Sequence, residues 1–89
     1  MLHKYFTMNN IEKQVIEITK PYVKKGCEVS LQSNIKDDLR LDSLSLTEII
    51  VACEDEFQIE IDLENINPKS FTKLFDLYFL IYQKVNVVE

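Results

Sequence analysis

The hydroxyl of Ser43 is the group in this sequence that is best placed for chemistry. Asp42 precedes it, Leu44 follows it, and a helical pattern of apolar residues begins at once. Asp and Ser are the residue types that cap helix N-termini, because their side-chain oxygens accept hydrogen bonds from first-turn amides. Taken alone, Asp42 and Ser43 are most simply the start of a helix. A serine at such a start is exposed, so its hydroxyl can be presented to a modifying enzyme.

The sequence gives little support for a metal site or for a catalytic site. The cysteines are Cys27 and Cys53, and the single histidine is His3, in the expected N-terminal tail. A zinc site needs about four ligands, and the aspartates near residue 40 lack the spacing and the glycine of an EF-hand. We therefore expect no metal site, two reduced thiols and no catalytic residue, which makes a small enzyme the weakest class of function.

The distribution of charge argues against nucleic acid as a partner. The 89 residues carry a net charge of −5, and positions 37–64 hold ten acidic residues and one arginine. Phosphate binding needs a basic surface, whereas an acidic surface favours partners with basic patches. No apolar run is long enough to cross a bilayer, and the N-terminus lacks the features of a signal peptide. We expect a cytoplasmic protein without membrane insertion.

Apolar residues recur at helical spacing in three segments, and β signals are weak. We predict a first helix capped by Asn9, with Glu12 completing a capping box, and an end or kink near Lys20 because Pro21 follows. Its expected apolar stripe is Ile11, Val15, Ile18 and Tyr22.

A second helix is predicted from Ser43 to Phe57, after a long connection over residues 27–41. Such a connection is uncommon in a compact domain and often functional. The expected anchors of the connection are Val29, Leu31, Ile35 and Leu39, and the expected stripe of the helix is Leu46, Ile49, Ile50, Cys53 and Phe57.

A short turn or helix is predicted near Leu63 to Ile66, and a last helix is predicted to start at Ser70 as its N-cap. Three long helices and a short one predict an all-α four-helix bundle, with one domain over 9–86 and tails at 1–8 and 87–89. The expected stripe of the last helix is Phe71, Leu74, Phe75, Tyr78, Tyr82 and Val85, widened by Leu77, Phe79, Leu80 and Ile81. Its aromatic residues either fill the core or form an exposed patch for a partner.

The segment from Asp38 to Glu48 resembles the attachment motif of acyl carrier proteins, in which Asp-Ser-Leu opens the second helix. The resemblance extends over roughly residues 9–85 and includes the order of the helices. It also includes Asp37-Asp38-Leu39 before the motif, Glu54-Asp55-Glu56-Phe57 after it, Ile59, Ile61, Asp62 and Glu64 in the following loop, and Ser70-Phe71 at the last helix.

This resemblance implies a four-helix bundle of the acyl-carrier type, with a long loop between the first two helices. It implies that Ser43 bears a 4'-phosphopantetheine arm, that Asp42 helps a phosphopantetheinyl transferase recognise the site, and that Leu44 completes the motif. The phosphodiester would lie near the positive end of the helix dipole. The arm would hold an acyl group as a thioester and deliver it to loading and processing enzymes, so the protein itself, expected to be a monomer, would catalyse nothing.

The acidic residues of the second helix have two interpretations. Glu48, Glu54, Asp55 and Glu56 are either a solvated helix face or a docking surface for basic patches on partner enzymes. We favour docking for Glu48, which is nearest to the arm, and leave both interpretations open for the other three residues.

Three positions depart from the family pattern. Arg40 stands where many members have Gly, Ser45 where an acidic residue is common, and Thr47 where an apolar one is common. These departures favour a specialised carrier over the housekeeping carrier of fatty acid synthesis. The alternative from another class is a helical protein-interaction module with an acidic docking helix and no prosthetic group.

Overall fold

The structure, a computed structural model, describes residues 7–64, 66–67 and 70–85. Helix α1 spans Met8–Thr19 and continues into a 3-10 turn over Lys20–Tyr22, α2 spans Ser43–Phe57, and α3 spans Leu74–Lys84. Across these ranges the only β pairing is an isolated bridge between Asn34 and Lys73. The prediction of an all-α fold is confirmed.

The start of α1 differs from the prediction, and its end agrees. Thr7 has extended backbone angles, and its hydroxyl accepts a hydrogen bond from the amide of Asn10 at 3.1 Å. The N-cap is therefore Thr7, and Asn9, predicted to be the cap, already lies in the first turn. The predicted end near Lys20 is confirmed, because Pro21 falls in the 3-10 turn, where its missing N–H costs no α-helical bond.

The buried face of α1 is also rotated relative to the predicted stripe. Ile11, Val15 and Thr19 are buried, whereas Ile18 is half-buried and Tyr22 is exposed. Thr19 can be buried because its hydroxyl donates to the carbonyl of Val15 at 2.8 Å, which leaves no unpaired polar group in the core. The apolar pattern alone missed Thr19, a polar residue whose hydroxyl finds its hydrogen-bond partner within the same helix.

Helix α2 has the predicted bounds and the predicted face. All five stripe residues are buried, and Ile49, Ile50 and Cys53 are fully enclosed. The helix ends at Gln58, which takes a left-handed conformation with φ +55°. Helix α1 packs against α2 and α3, which also pack against each other, so the core lies between three helices.

The predicted start of the last helix at Ser70 is wrong. Helix α3 begins at Leu74, after Lys73, and the carboxylate of Asp76 accepts the amides of Thr72 at 2.8 Å and Lys73 at 3.0 Å. Those bonds satisfy amides ahead of the helix, and the N-cap is Lys73, three residues later than the predicted cap at Ser70.

The buried face of α3 consists of Leu74, Leu77, Tyr78 and Ile81. Phe75 and Phe79 are 39% and 46% exposed, and their rings stack with centroids 6.0 Å apart. The predicted stripe therefore wrongly included Phe75, which lies on the exposed side of the helix. Tyr78 therefore fills the core while Phe75 and Phe79 face outward, and a partner for these two exposed rings stays a prediction.

The long connection before α2 is packed down, as predicted. Leu31, Ile35 and Leu39 are buried and Val29 is partly buried, while Leu41 joins the core as a further anchor. The connection pairs with the segment ahead of α3 through Ile35 N to Thr72 O (2.9 Å), and with the first turn of α3 through Leu74 N to Ser33 O (3.1 Å) and Phe75 N to Leu31 O (2.8 Å).

The region of the predicted short helix is described in part. Leu63 and Glu64 form a turn, and the amide of Ile66 donates to the carbonyl of Asp62 at 3.1 Å. Asn65, Pro68 and Lys69 lie outside the described residues, as do 1–6 and 86–89 of the predicted tails. The short helix stays a prediction. None of the described helices has the length and apolar character that crossing a membrane requires.

Candidate functional site

The first turn of α2 presents Ser43 to solvent. Asp42, with extended backbone angles, is the N-cap, and its carboxylate accepts the amide of Ser45 at 2.8 Å. The amide of Leu46 donates to the carbonyl of Asp42 at 3.0 Å and closes the first helical turn. Ser43 is thus the first helical residue, and it is exposed. The amides of Ser43 and Leu44 have no intrahelical acceptor.

The carboxyl group of Asp42 is held in its ionised form. The backbone amide of Ser45, and after it the hydroxyl of Ser45, lower the pKa of Asp42 below its ordinary value of 3.8. Ser45, a departure from the family pattern, thus supports the cap, whereas an acidic residue at this position would repel the Asp42 carboxylate. The structure brings Asp42, Ser43 and Ser45 together at one helix end.

Thr47, another departure, also has a role at this turn. Its hydroxyl donates to the carbonyl of Ser43 at 2.8 Å. The carbonyl of Ser43 therefore accepts a bond from a side chain one turn along the helix, a pattern that tends to bend helices slightly. An apolar residue at position 47 could not make this contact.

Ser43 lies at the edge of a cavity of about 550 Å³, which the sequence did not reveal. The cavity lies between the connection, the start of α2 and the segment ahead of α3. Its lining combines polar side chains with apolar ones. The lining residues are Asn34, Ile35, Lys36, Asp37, Leu41, Asp42, Ser43, Leu46, Phe71 and Thr72.

Side-chain hydrogen bonds fix the wall formed by the connection. The Asn34 amide oxygen accepts the backbone amides of Lys36 at 3.0 Å and Asp37 at 2.8 Å. The carboxylate of Asp38 in turn accepts the backbone amide of Asn34 at 2.7 Å. Asp38 thus orders this wall, as Asp76 orders the wall of Phe71 and Thr72. Two sequence signals could have located these aspartates. They are the Asx turn at Asn34, for Asp38, and the cap at the start of α3, for Asp76.

The predicted docking residues fall into two groups. Glu48 and Asp55 are exposed and lie on the same side of α2 as Leu44, which is 69% exposed. Val51, not singled out from the sequence, is 49% exposed between them. We call the row of Leu44, Glu48, Val51 and Asp55 the outer ridge.

Glu54 and Glu56 lie elsewhere on the helix and are half-buried. The carboxylate of Glu54 accepts the amide of Ile61 at 2.6 Å and so ties the end of α2 to the following loop. A bond to a charged acceptor of this kind contributes more than a neutral one. Glu54 therefore has a structural role that its sequence position did not indicate.

The two cysteines differ sharply in environment. Cys53 is buried in the core, and desolvation, with a smaller contribution from the charge of Glu56, raises the pKa of its thiol to about 12. It therefore behaves as a small apolar residue. Cys27 is exposed. In the part of the chain that the structure describes, no three His, Cys, Asp or Glu side chains gather into a metal-binding group.

The residues around Ser43 fit a phosphodiester-linked arm. The hydroxyl is accessible, the amides of Ser43 and Leu44 point out of the helix end as donors for an anion, and the cavity gives the arm a surface to lie on. The prosthetic group that suits this setting is 4'-phosphopantetheine, whose terminal thiol would supply the thioester. The chain itself would supply attachment and presentation.

The comparison with protein families agrees with this geometry. Residues 13–71 match the family described as "Phosphopantetheine attachment site". This span includes α2 and most of the cavity wall. The chain is thus a carrier domain of the kind that bears phosphopantetheine.

The relatives narrow the class further. The chain is 41% identical over 64 residues to "Acyl carrier protein" of Buchnera aphidicola subsp. Schizaphis graminum, covering 67% of this chain and 81% of that one. It is 38% identical over 72 residues to the protein of the same name from Buchnera aphidicola subsp. Baizongia pistaciae, covering 79% and 92%. The chain belongs to the acyl carrier protein family, whose members are non-catalytic carriers that interact with biosynthetic enzymes.

A third relative is a longer protein. The chain is 44% identical over 54 residues to "Acyl carrier protein 3, mitochondrial" of Arabidopsis thaliana, which covers 60% of this chain and 41% of the relative. The matched part is thus about two fifths of that protein.

Proposed function

We propose that this chain carries an acyl intermediate as a thioester on a 4'-phosphopantetheine arm attached to Ser43. The observation that carries the proposal is the exposed Ser43 hydroxyl on the first residue of α2, at the edge of the 550 Å³ cavity. The capped helix end holds this hydroxyl in one place, and the solvent side leaves it accessible to a transferase.

The neighbours of Ser43 have distinct roles in the proposal. Asp42 fixes the first turn and offers the transferase an ionised carboxylate beside the hydroxyl. Leu44, exposed on the outer side, offers the transferase an apolar contact. The arm then keeps the acyl group at a high effective concentration near the active site of a docked enzyme.

The outer ridge is the surface that we assign to docking of partner enzymes. Glu48 and Asp55 are exposed carboxylates that attract basic patches, and Leu44 and Val51 add apolar contact area. The carboxylate of Glu54 is bonded to the amide of Ile61, so Glu54 contributes to the negative electrostatic field around the helix more than to direct contact with a partner. Glu56 is half-buried, so a docking role for it rests on the same long-range field.

The cargo belongs to fatty acid, polyketide or related specialised biosynthesis in this proposal. Arg40, Ser45 and Thr47 favour a dedicated pathway carrier. Ser45 and Thr47 support the turn around Ser43 with contacts of their own. We further propose a cytoplasmic monomer, and a four-helix bundle whose short helix lies near residues 63–66.

Intact-mass spectrometry after incubation with coenzyme A and a broad-specificity phosphopantetheinyl transferase tests the attachment. We expect wild type to gain the mass of one arm, Ser43→Ala to gain none, and Ser30→Ala, a change at an exposed serine outside the cavity, to gain it normally. A wild type without added mass would favour the alternative, a helical interaction module with no prosthetic group. Equal loading of Ser43→Ala would move the attachment to another residue.

A further inference from the structure

The charges around Ser43 create a problem for an arm attached there. A phosphodiester adds a negative charge at the edge of a cavity already lined by the carboxylates of Asp37 and Asp42. Like charges around one cavity repel one another even across water. Of the described residues that line the cavity, Lys36 is the single cation.

Lys36 is positioned to balance the negative charge of the phosphodiester. Its backbone amide donates to the side-chain oxygen of Asn34 at 3.0 Å, which fixes the residue in the cavity wall. Its side chain is exposed, and it forms no ion pair with any residue that the structure describes. The ammonium group can therefore turn to a new anion without breaking an existing pair.

We propose that Lys36 is the cation that pairs with the phosphodiester on Ser43, an inference that rests on the proposed attachment there. The pair draws the start of the arm over the wall of residues 34–37, so that the arm leaves Ser43 along the cavity and away from the outer ridge. Lysine suits this role because it binds phosphate oxygens as a mobile point charge.

Arg40 is the cation nearest to Ser43 in the sequence, and the structure assigns it no such role. Its side chain does not line the cavity, although its backbone lies only three residues before Ser43. Arg40 therefore provides a matched control, since Lys36→Gln and Arg40→Gln each remove one positive charge from the same connection.

The test compares apo and holo forms of wild type, Lys36→Gln, Lys36→Arg and Arg40→Gln by thermal unfolding at low salt. We expect the holo-minus-apo change in Tm to fall by about 1 to 5 °C in Lys36→Gln, the range of an exposed ion pair in a small domain. Lys36→Arg should restore the wild-type difference, Arg40→Gln should leave it unchanged, and 1 M salt should abolish the effect.

A second measurement uses wild type alone. The NMR resonance of the Lys36 ammonium group should shift between the apo and holo forms, while that of Lys24, outside the cavity, should not. Equal Tm differences in Lys36→Gln and Arg40→Gln, or an unshifted Lys36 resonance in a fully loaded sample, would overturn the pairing while leaving the attachment intact. A wild type that gains no arm mass would overturn the proposed function itself, and the pairing with it.

Discussion

The carboxylate of Asp42 accepts the backbone amide of Ser45 at 2.8 Å, and this bond sets both the shape and the charge of the turn that presents Ser43. It ends the connection at Asp42, starts the helix at Ser43, and keeps the carboxylate ionised beside the hydroxyl. Two departures from the family pattern make contacts at this turn, because the Ser45 hydroxyl adds to the lowering of the Asp42 pKa and the Thr47 hydroxyl donates to the carbonyl of Ser43.

The titration of Asp42 should depend on Ser45. Because the amide and then the hydroxyl of Ser45 lower the pKa of Asp42, Ser45→Ala should raise it towards 3.8. The stabilisation from this cap is complete above the unfolded-state pKa and is lost as pH falls through the lower folded-state pKa. NMR titration of the Asp42 carboxyl group measures the change, with Ser30→Ala as a control. An identical Asp42 titration in both variants would contradict the role of the Ser45 hydroxyl.

The left-handed conformation of Arg40, with φ +54°, should cost stability. A non-glycine residue loses about 1–2 kcal/mol in this region, and glycine recovers part of that after its own entropy cost in the unfolded chain. We expect Arg40→Gly to raise the free energy of unfolding by about 0.5–1 kcal/mol, as measured by chemical denaturation.

Two further variants control this prediction. Gln58→Gly, at the second non-glycine residue with a positive φ among those that the structure describes, should gain less because the Gln58 side chain donates to the carbonyl of Asp55 at 2.8 Å. Arg40→Ala should gain nothing from relief of strain, because alanine retains a Cβ. A gain in Arg40→Ala equal to that in Arg40→Gly would attribute the effect to the arginine side chain.

Helix α3 offers a direct comparison of its two faces. Leu77 is fully buried, so Leu77→Ala should lower the free energy of unfolding by about 2–5 kcal/mol. Phe79 is 46% exposed, so Phe79→Ala should cost clearly less, although it removes the larger side chain. Urea unfolding of both variants decides the matter, and a larger loss in Phe79→Ala would mean that the aromatic side faces the core.

Glu54 and Asp55 are adjacent acids with different expected roles. Glu54→Gln weakens the bond to the amide of Ile61 and should lower the free energy of unfolding by about 1 kcal/mol. Asp55→Asn removes the same charge from an exposed position and should change stability by less than about 0.5 kcal/mol. Chemical denaturation distinguishes the two, and equal effects would deny Glu54 its structural role.

Glu48 should act on partner enzymes rather than on the fold. Glu48→Lys reverses an exposed charge on the outer ridge, so we expect slower loading by a basic partner enzyme at low salt, with thermal unfolding unchanged. Glu12→Lys makes the same change on α1 and should have the smaller effect on the loading rate. Unchanged loading in Glu48→Lys at low salt would remove the docking role from this residue.

The sequence by itself determined the class of fold and the place of Ser43 at the start of α2. The run from Asp42 to Phe57 contains its own cap, its own apolar stripe and a proline-free helix, so local rules were enough to place α2 and Ser43 correctly. Pro21 likewise ended α1 where the sequence predicted, because its effect on the backbone is local.

The tertiary structure decided which faces are buried and what surrounds Ser43. Leu77 and Phe79 are both apolar and only two positions apart, so a helix with apolar residues all round has no face that the sequence can mark as inner. The start of α3 is held by the distant connection, because the amides of Leu74 and Phe75 in its first turn donate to the carbonyls of Ser33 and Leu31. The cavity beside Ser43 depends on the pairing of Ile35 with Thr72, which joins segments far apart in the chain. Contacts of this range are set by packing and leave no local pattern in the sequence.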